Sequence, residues 1–546
     1  MMKLGKKSKI ALSLLSASMF LVACGSKGEE AKKSDIELGK VGEFPITKEK
    51  VTMTMMGPRT GETEWKDMAF FKDYAEKTNI DFKFTTPPLD DFGTKLNLAF
   101  ASGDLPDVLF GTSSTTLTPA MEMDYGSQGI LVPLEDLIDD NMPNLKKLMD
   151  EDPSIRKSIT TPEGHIYSLP MLSRSSTAIW PRGPIWYRGD WLEAVGQKEL
   201  PKTTDEFYDL LVKYRDEDPN GNGKKDEIPL TDVKMDSTRP WLMGAFGLKE
   251  RGIQEVNGKV EYTPVSDNYK EYVTYMNKLY SEKLLDQEVY SQSQEQTKAK
   301  GQNNQLGLFP DWFSFFTTGK DEKGAQSDPM WQPLTSSVSE KAVIPGSSRM
   351  SRQTFAITNK AESPEALLRW VDYFYGEEGA YYLNKGPEGS FWKWEKNDKG
   401  EEVRVYADTV DLSNPEESRS KVTPSYGLTI PNVDYPTTPE NIIREKANDE
   451  PDTSFTDFIT KETEEKLVPA AEVPFPLLYL TKEETEKTRD VGTDMTTYVE
   501  QMEAKFITGV EPLSNWDKYV KTLEGMGVEE YVKVYQGAYD RWAETK

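Results

Sequence analysis

Short apolar runs alternate with helical patterns through the first part of the chain. Val51–Met56 is a β-prone run, and Ile80–Thr85 alternates apolar and polar residues. Residues 90–102 carry apolar side chains at helical spacing, and a further apolar run lies within 106–111. This alternation predicts a mainly parallel sheet with right-handed crossovers, on which a ligand would sit at the carboxyl ends of the strands.

Two later helices carry clear start signals. Thr203 and Glu206 have the spacing of a capping box, and Ser363 followed by Pro364 fits an N-cap with proline at the first helical position. The first of these helices has one apolar face, formed by Phe207, Leu210, Leu211 and Tyr214. Three tryptophans on apparent helix faces are predicted to be packing residues: Trp65, Trp191 and Trp370.

The N-terminus has the pattern of an export signal. A basic stretch with four lysines precedes an apolar segment over 10–20, which is too short to span a bilayer. The following Leu21-Val22-Ala23-Cys24-Gly25 resembles a bacterial lipobox, in which the cysteine receives a diacylglyceryl group. We therefore expect residues 1–23 to be a signal peptide, Cys24 to be lipidated and 24–44 to be a flexible tether. An ordinary secretory signal with an incidental cysteine is the alternative.

Composition narrows the functional classes. The chain has 546 residues, one cysteine, one histidine and a formal net charge of −26. Removing the signal peptide removes four lysines and no acids, which takes the charge to −30. This balance argues against nucleic acid as a partner. One cysteine and one histidine, His165, exclude an internal disulfide and metal sites built from several cysteines or histidines.

An oxygen-rich loop follows the helix that begins near Thr203. Oxygen-bearing side chains alternate in Asp218, Asn220 and Asn222, and the opening matches the EF-hand pattern D-x-[DN]-x-[DN]-G. The match then ends, because Pro229 stands where the EF-hand has glutamate. The pattern predicts a structural Ca²⁺ site, although a glycine-rich turn without metal is the alternative. The expected ligands are Asp218, Asn220, Asn222, the carbonyl of Lys224, Asp226 and Glu227.

Aromatic and arginine side chains near predicted strand ends are candidates for binding a sugar. Aromatic rings match the apolar faces of sugar rings, and guanidinium groups donate to hydroxyls or carboxylates. About half of the aromatic candidates are expected to be core residues instead. The candidates are Arg59, Trp180, Trp186, Tyr187, Trp312, Arg352 and Trp392.

Several of these segments together resemble the extracellular solute-binding proteins of bacterial carbohydrate ABC importers. The resemblance is to their large lipoprotein subgroup of the LplA and alginate-oligosaccharide-binding type. It rests on the lipobox, the run Ser102-Gly103-Asp104-Leu105-Pro106-Asp107 and the oxygen-rich loop, together with the segments at 190–192, 201–211 and 375–379.

The resemblance implies a two-lobe α/β fold of the periplasmic-binding-protein type II, with a hinge and a ligand cleft between the lobes. The family layout implies a first lobe of 45–165 plus 310–360 and a second lobe of 166–309 plus 361–546. It also implies a structural Ca²⁺ ion at the oxygen-rich loop, a monomer, and delivery of an oligosaccharide to membrane permease subunits from the outer face of the cell membrane.

Two other functions remain open at the level of sequence. A surface-anchored glycoside hydrolase or polysaccharide lyase would need a pair of carboxylates or a tuned base, which cannot be located among 92 acids. A peptide receptor of the same fold would differ only in its cleft.

Overall fold

The structure is a computed structural model that describes residues 36–545. The predicted signal peptide, Cys24 and residues 25–35 of the predicted tether lie outside the described residues. Within the described range, no helix combines the length and the apolar character needed to cross a membrane.

The described chain forms fifteen strands and twenty α-helices. The strands are β1 Val51–Met56, β2 Ile80–Thr85, β3 Val108–Phe110, β4 Ser168–Ser173, β5 Ile185–Tyr187, β6 Ile228–Leu230, β7 Ile253–Val256, β8 Lys259–Tyr262, β9 Leu306–Pro310, β10 Ile344–Pro345, β11 Met350–Ile357, β12 Trp392–Lys396, β13 Glu402–Tyr406, β14 Val433–Asp434 and β15 Ala471–Glu472. The helices are α1 Ala69–Thr78, α2 Leu89–Ser102, α3 Pro119–Ser127, α4 Glu135–Asn141, α5 Pro143–Glu151, α6 Pro153–Ile159, α7 Gly189–Ala194, α8 Thr204–Asp216, α9 Thr238–Met243, α10 Asp267–Ser281, α11 Gln294–Gln302, α12 Ser314–Thr318, α13 Glu322–Ala325, α14 Pro364–Asp372, α15 Glu377–Lys385, α16 Pro415–Ser420, α17 Ser454–Glu462, α18 Lys482–Thr508, α19 Trp516–Met526 and α20 Val528–Glu544.

The first lobe is built on a six-stranded sheet in the order β14-β4-β11-β3-β1-β2. All of its strands run the same way except β11, which pairs antiparallel with both β3 and β4. The carboxyl ends of β1, β3, β4 and β14 therefore share one edge with the start of β11. Side chains of the sheet and of α14 form one apolar core, which includes Met55, Phe110, Phe355, Leu367 and Trp370.

The second lobe is built on a three-stranded sheet in the order β5-β9-β6. β9 pairs antiparallel with β5 and parallel with β6, so the start of β5 lies beside the end of β9. A second apolar core surrounds this sheet and draws on helices from distant parts of the chain. It includes Trp186, Trp191, Phe207, Trp331 and Phe506.

The packing divides the chain between the lobes differently from the expected boundaries. Residues 361–383 were expected in the second lobe, but Leu367, Trp370 and Leu383 lie in the first core, because α14 and α15 stay on the sheet after β11 returns the chain to it. Conversely, Met330 and Trp331 lie in the second core. The strand β4 belongs to the first sheet. The chain passes between the two sheets after β4, before β11 and after β14.

Candidate functional site

The candidate site lies where the carboxyl ends of the first-lobe strands face the second lobe. Three connecting segments bound a cavity of about 640 Å³ here: the segment after β4, the segment before β11 and the segment after β14. The second lobe contributes the loop after β9 and the helix α17. We call this space the inter-lobe cavity; its lining includes Arg174, Ser175, Thr177, Phe313, Arg349, Thr437, Phe455, Asp457 and Glu464.

Two of the predicted tryptophans lie together beside Phe313, a second-lobe residue that lines this cavity. Trp312 follows β9 and exposes 53% of its surface, whereas Trp180 is 6% exposed. Their rings are stacked, with centroids 6.4 Å apart and an interplanar angle of 29°. Trp180 also contacts Phe313, which lines the cavity. The Nε1–H of Trp180 is buried with no hydrogen-bond partner in the described structure, a costly state that a ligand acceptor would relieve.

Four phenylalanines extend this aromatic surface, and the sequence analysis missed them. Phe313 lies 5.5 Å from Phe315 and 5.4 Å from Phe455, and Phe315 lies 4.5 Å from Phe316. Phe316 is exposed. The run Phe313-Ser314-Phe315-Phe316 directly after Trp312 indicates an aromatic surface from the sequence alone. Nothing local in the sequence connects Phe455 to that surface.

Trp186 and Tyr187 are packing residues, so the prediction that they contact ligand is corrected. Both lie on β5 at the centre of the second lobe and are fully buried. The Trp186 Nε1–H donates to the carbonyl of Asp311 at 2.9 Å, and the Tyr187 ring stacks on Trp331. Rings that are fully enclosed leave no surface for a ligand.

The structure points to Arg349 in place of Arg352 in the inter-lobe cavity. Arg352 donates to the carbonyls of Ser158 and Leu478, at 3.1 and 3.3 Å, and its guanidinium lies 4.4 Å from the Tyr479 ring. Arg349 lines the cavity, and no side-chain partner holds its guanidinium in the described residues. Arg349 lies just before β11, whereas Arg352 lies in the stretch between Ser351 and Phe355 where the strand register shifts.

The neighbourhood of Arg352 is a buried polar network. The carboxylate of Glu122 accepts hydrogen bonds from Ser168 at 2.6 Å, from Gln353 at 2.7 Å and from Tyr479 at 2.7 Å. Burial raises the pKa of Glu122, and these hydrogen bonds oppose the rise. Since Tyr479 lies in the segment between β15 and α18, the network anchors that segment to the first sheet.

The guanidinium of Arg59 lies at the carboxyl end of β1 but is engaged within its own loop. It donates to the carbonyls of Gly61 at 2.9 Å and Glu62 at 3.3 Å, and it forms an ion pair with Glu64 at 3.4 Å. These partners fix the loop after β1, which lies at the edge of the six-stranded sheet where its parallel strands end. A direct contact between Arg59 and a ligand remains a prediction.

Trp392 lies on β12, in a hairpin with β13, and not in the lining of the inter-lobe cavity. Its ring is mostly buried, and its Nε1–H donates to the carbonyl of Gly386 at 3.0 Å. The Trp394 ring packs edge-on against it at 5.3 Å. These contacts make Trp392 a packing residue of the hairpin.

The oxygen-rich loop connects α8 to β6. The capping box of Thr203 and Glu206 starts α8 as predicted, and the helix ends just before Asp218. Gly221 and Gly223 have φ of 68° and 73°, so the loop turns sharply where the sequence allows it. The Asp218 carboxylate accepts from the N–H groups of Asn222 and Gly223, at 3.2 and 3.0 Å.

The acidic end of this loop turns back toward its beginning. The Asp226 carboxylate accepts from the side-chain amides of Asn222 at 2.9 Å and Asn220 at 3.2 Å. The Oε1 of Glu227 is buried without a partner, and burial followed by the charges of Asp226 and Asp218 raises the pKa of this carboxyl. In the arrangement of the described residues, no group of three or more His, Cys, Asp or Glu side chains is positioned to hold a metal ion.

Comparison with known proteins identifies the class of this molecule. Residues 59–381 match the family described as bacterial extracellular solute-binding protein. The chain is 29% identical over the full length of both proteins to the fructooligosaccharide ABC transporter substrate-binding protein FusA of Streptococcus pneumoniae. A structure of FusA in complex with kestose, 26% identical, aligns with a TM-score of 0.65 over 91% of this chain and 100% of FusA.

Two further solved structures bear on the fold and on the loop. A FusA EF-hand mutant in complex with fructo-nystose, 25% identical, aligns with a TM-score of 0.66 over 91% of this chain and 100% of that chain. An HMO-binding solute-binding protein from Bifidobacterium longum infantis, 20% identical, aligns with a TM-score of 0.70 over 90% of this chain and 99% of that chain.

The predicted two-lobe α/β fold is confirmed. The relatives are substrate-binding proteins and not enzymes, which sets the hydrolase and lyase alternatives aside. The chain belongs to the bacterial extracellular solute-binding protein family.

Proposed function

We propose that this protein binds an oligosaccharide in the inter-lobe cavity and delivers it to the permease of an ABC importer. The observation that carries the proposal is the stacked pair of Trp312 and Trp180 next to Phe313, which lines that cavity. The exposed flat ring of Trp312, backed by the buried ring of Trp180, suits the apolar face of a sugar ring. The full-length similarity to FusA, a fructooligosaccharide-binding protein, supports an oligosaccharide ligand.

The lobes would close around the ligand by bending at the three connecting segments. We propose a first lobe built on the six-stranded sheet and a second lobe built on the three-stranded sheet, because each sheet has its own core. Hinge closure of this kind uses short segments between rigid bodies. Arg349, on one of these segments, would donate to sugar hydroxyls as the lobes close.

Calorimetric titration with kestose, maltotriose and trialanine tests the ligand class. We expect a neutral oligosaccharide to bind stoichiometrically and the peptide not to bind. Trp312→Ala should weaken binding by roughly fivefold or more, since the loss of an aromatic contact worth about 1 kcal/mol changes the dissociation constant by that factor. The matched control is Trp394→Ala, which removes an exposed tryptophan outside the cavity. Binding of trialanine alone would favour a peptide receptor.

We further propose that Cys24 carries a lipid anchor that holds the protein at the outer face of the cell membrane. The support is the lipobox-like run that ends at Cys24 and the absence of any other cysteine in the sequence. Fractionating cells that express wild type and Cys24→Ser tests this. The wild type should stay with the membrane, and the variant should be released; equal release would contradict the anchor.

We also propose that the oxygen-rich loop binds a structural Ca²⁺ ion. Asp218, Asn220, Asn222, Asp226, Glu227 and the Lys224 carbonyl would hold it. The support is that the loop supplies the oxygen donors that Ca²⁺ prefers, that the charges of Asp226 and Asp218 act on the Glu227 carboxyl, and that one buried oxygen of this carboxyl has no hydrogen-bond partner in the described structure. The FusA EF-hand mutant indicates that FusA has an EF-hand. The ion would fix the junction between α8 and β6 and would supply no chemistry to the ligand site.

Thermal unfolding with calcium and with chelator tests the loop. At about 100 times its dissociation constant, a bound ion adds about 2.7 kcal/mol to the free energy of unfolding. Chelation should therefore lower the melting temperature of the wild type and leave that of Asp226→Ala unchanged. Asp216→Asn, next to the loop but paired with Arg215, is the control that keeps the calcium response. A calcium-independent wild type would contradict the site.

A further inference from the structure

A second cavity of about 790 Å³ lies on the first lobe, outside the inter-lobe cavity. It is bounded by α15, by β13 and by the loop that follows β14. Pro436 and Thr437 line both cavities, so this loop is the wall between them. The volume falls within the range of small-molecule sites. We call this space the α15 cavity.

The α15 cavity contains a partly buried lysine whose ammonium has no polar partner among the described residues, only the Phe391 ring at 6.0 Å. Lys385 ends α15 and lines the cavity, and no hydrogen bond or ion pair reaches its ammonium group in the described part of the chain. Its Nζ is not among the fully enclosed unsatisfied atoms, so it keeps some access to the cavity. Burial, followed by the positive charge of Arg419, lowers the pKa of Lys385, while the charges of Glu416 and Asp434 act in the opposite direction.

The two arginines that line this cavity have polar partners, whereas Lys385 has only the Phe391 ring within the described range. The guanidinium of Arg419 binds the Glu416 carboxylate at 2.5 Å and Ser425 Oγ at 2.7 Å. The guanidinium of Arg404 lies 4.3 Å from the Tyr381 ring and donates to the Glu440 carbonyl at 2.6 Å. An unpaired ammonium in a partly buried site is unfavourable unless an anion or water pairs with it.

Tyrosine rings give the cavity flat walls beside this charge. Tyr381, Tyr406 and Tyr435 line it. Tyr435 is fixed because its hydroxyl donates to the Tyr375 carbonyl at 3.0 Å, and Tyr381 is fixed by the stacked guanidinium of Arg404. Rigid rings next to a cation can hold a hydroxylated ring that carries an acid group.

We propose that the α15 cavity is a second binding site, which takes a small organic anion with its carboxylate on the Lys385 ammonium and its body against the tyrosine rings. The site is independent of the ligand proposed for the inter-lobe cavity. Because Pro436 and Thr437 separate the two cavities, the α15 cavity can be filled whether or not an oligosaccharide is bound in the inter-lobe cavity.

Saturation-transfer NMR on the full mature chain tests this with three probes at millimolar concentration. Glucuronate carries a carboxylate on a hydroxylated ring, glucose is its neutral counterpart, and inorganic phosphate is a compact anion. We expect glucuronate to bind and glucose not to bind. Phosphate should compete with glucuronate, because both require the ammonium group. Absence of glucuronate binding, equal binding of glucose, or failure of phosphate to compete would overturn the proposal.

Variants then assign the binding to Lys385. Lys385→Met should weaken glucuronate binding about tenfold or more, Lys385→Arg should retain most of it, and the control Lys396→Met on β12 should match wild type. Equal binding by wild type and Lys385→Met would overturn the assignment. Kestose affinity in the inter-lobe cavity should stay the same in all three variants, which separates failure of this proposal from failure of the main one. Thermal unfolding checks that each variant is folded.

Discussion

The oxygen-rich loop and the inter-lobe cavity differ in how far apart their residues lie in the sequence. All six expected calcium ligands fall within 218–227, and helix α8 delivers the chain directly into them. The cavity instead draws on residues from 174 to 468. A site made from one turn can be identified from its own spacing, whereas a site made from several segments depends on the fold that brings them together.

Two tryptophans near the cavity show that the fold also decides the environment of a single residue. Trp312 and Trp186 are both close to β9, and both were predicted to bind sugar. One is the exposed residue after the strand, and the other is fully buried on the neighbouring strand. Only the packing around each ring separates the exposed candidate from the core residue.

The largest expected effect tests that separation. Trp186→Ala would remove a fully buried ring and lower the free energy of unfolding by about 3–5 kcal/mol. Trp312→Ala would lower it by no more than roughly 0.5 kcal/mol, because its ring is exposed. Denaturant unfolding of both variants measures this. Equal losses of stability would mean that Trp312 is also a core residue.

A second prediction tests the assignment of α14 to the first lobe. Asp372 ends α14, and its carboxylate accepts from the N–H groups of Leu145 and Asn144 at 3.0 and 3.2 Å. Burial raises the pKa of Asp372 from 3.8 to about 6. The folded state therefore holds the proton more tightly than the unfolded chain. This contribution is present below about pH 4 and is lost as the pH rises through about 6, by up to about 3 kcal/mol.

Unfolding at several pH values measures this contribution. Asp372→Asn should remove the part of the pH dependence between about pH 4 and 6, and the exposed Asp104→Asn should leave it in place. If the slope of stability against pH is the same in wild type and Asp372→Asn, the buried contact between α14 and α5 is not formed.

The smallest expected effect concerns the loop. The Asn222 side chain accepts from the Lys224 N–H at 2.7 Å and donates to Asp226 at 2.9 Å. In chelator, Asn222→Ala should lower the free energy of unfolding by about 1 kcal/mol, the usual contribution of such hydrogen bonds. With calcium the loss should be larger, because a metal ligand is also removed. An equal loss in both conditions would contradict the calcium site.

Much of the fold could be predicted from local patterns. β1 and β2 have the predicted bounds, and α14 begins with the predicted Ser363 cap and Pro364. The three tryptophans assigned to packing, Trp65, Trp191 and Trp370, are buried. These features depend on residue periodicity and on capping hydrogen bonds within a few positions, which the sequence displays directly.

The remaining features depend on partners distant in the sequence. Glu122 and Tyr479 form one hydrogen bond across more than 350 positions. The rings of Phe455 and Phe313 are also in contact although the two residues are distant in the sequence. Residues 361–383 include side chains that pack in the core of the six-stranded sheet, and nothing in their helical pattern indicates which sheet they cover. Trp180 and Trp312 were identified as candidates, but their pairing became visible only through the register of β5 and β9.

Hydrogen exchange with and without saturating kestose tests the central claim most directly. If the oligosaccharide binds between the lobes, exchange should slow in residues 174–180, 311–317 and 455–464, which border the inter-lobe cavity or carry its stacked tryptophans. Residues 377–385 of the α15 cavity and the loop at 217–227 should exchange as before. Protection confined to 377–385 and 404–443, or no protection in any segment, would contradict the account.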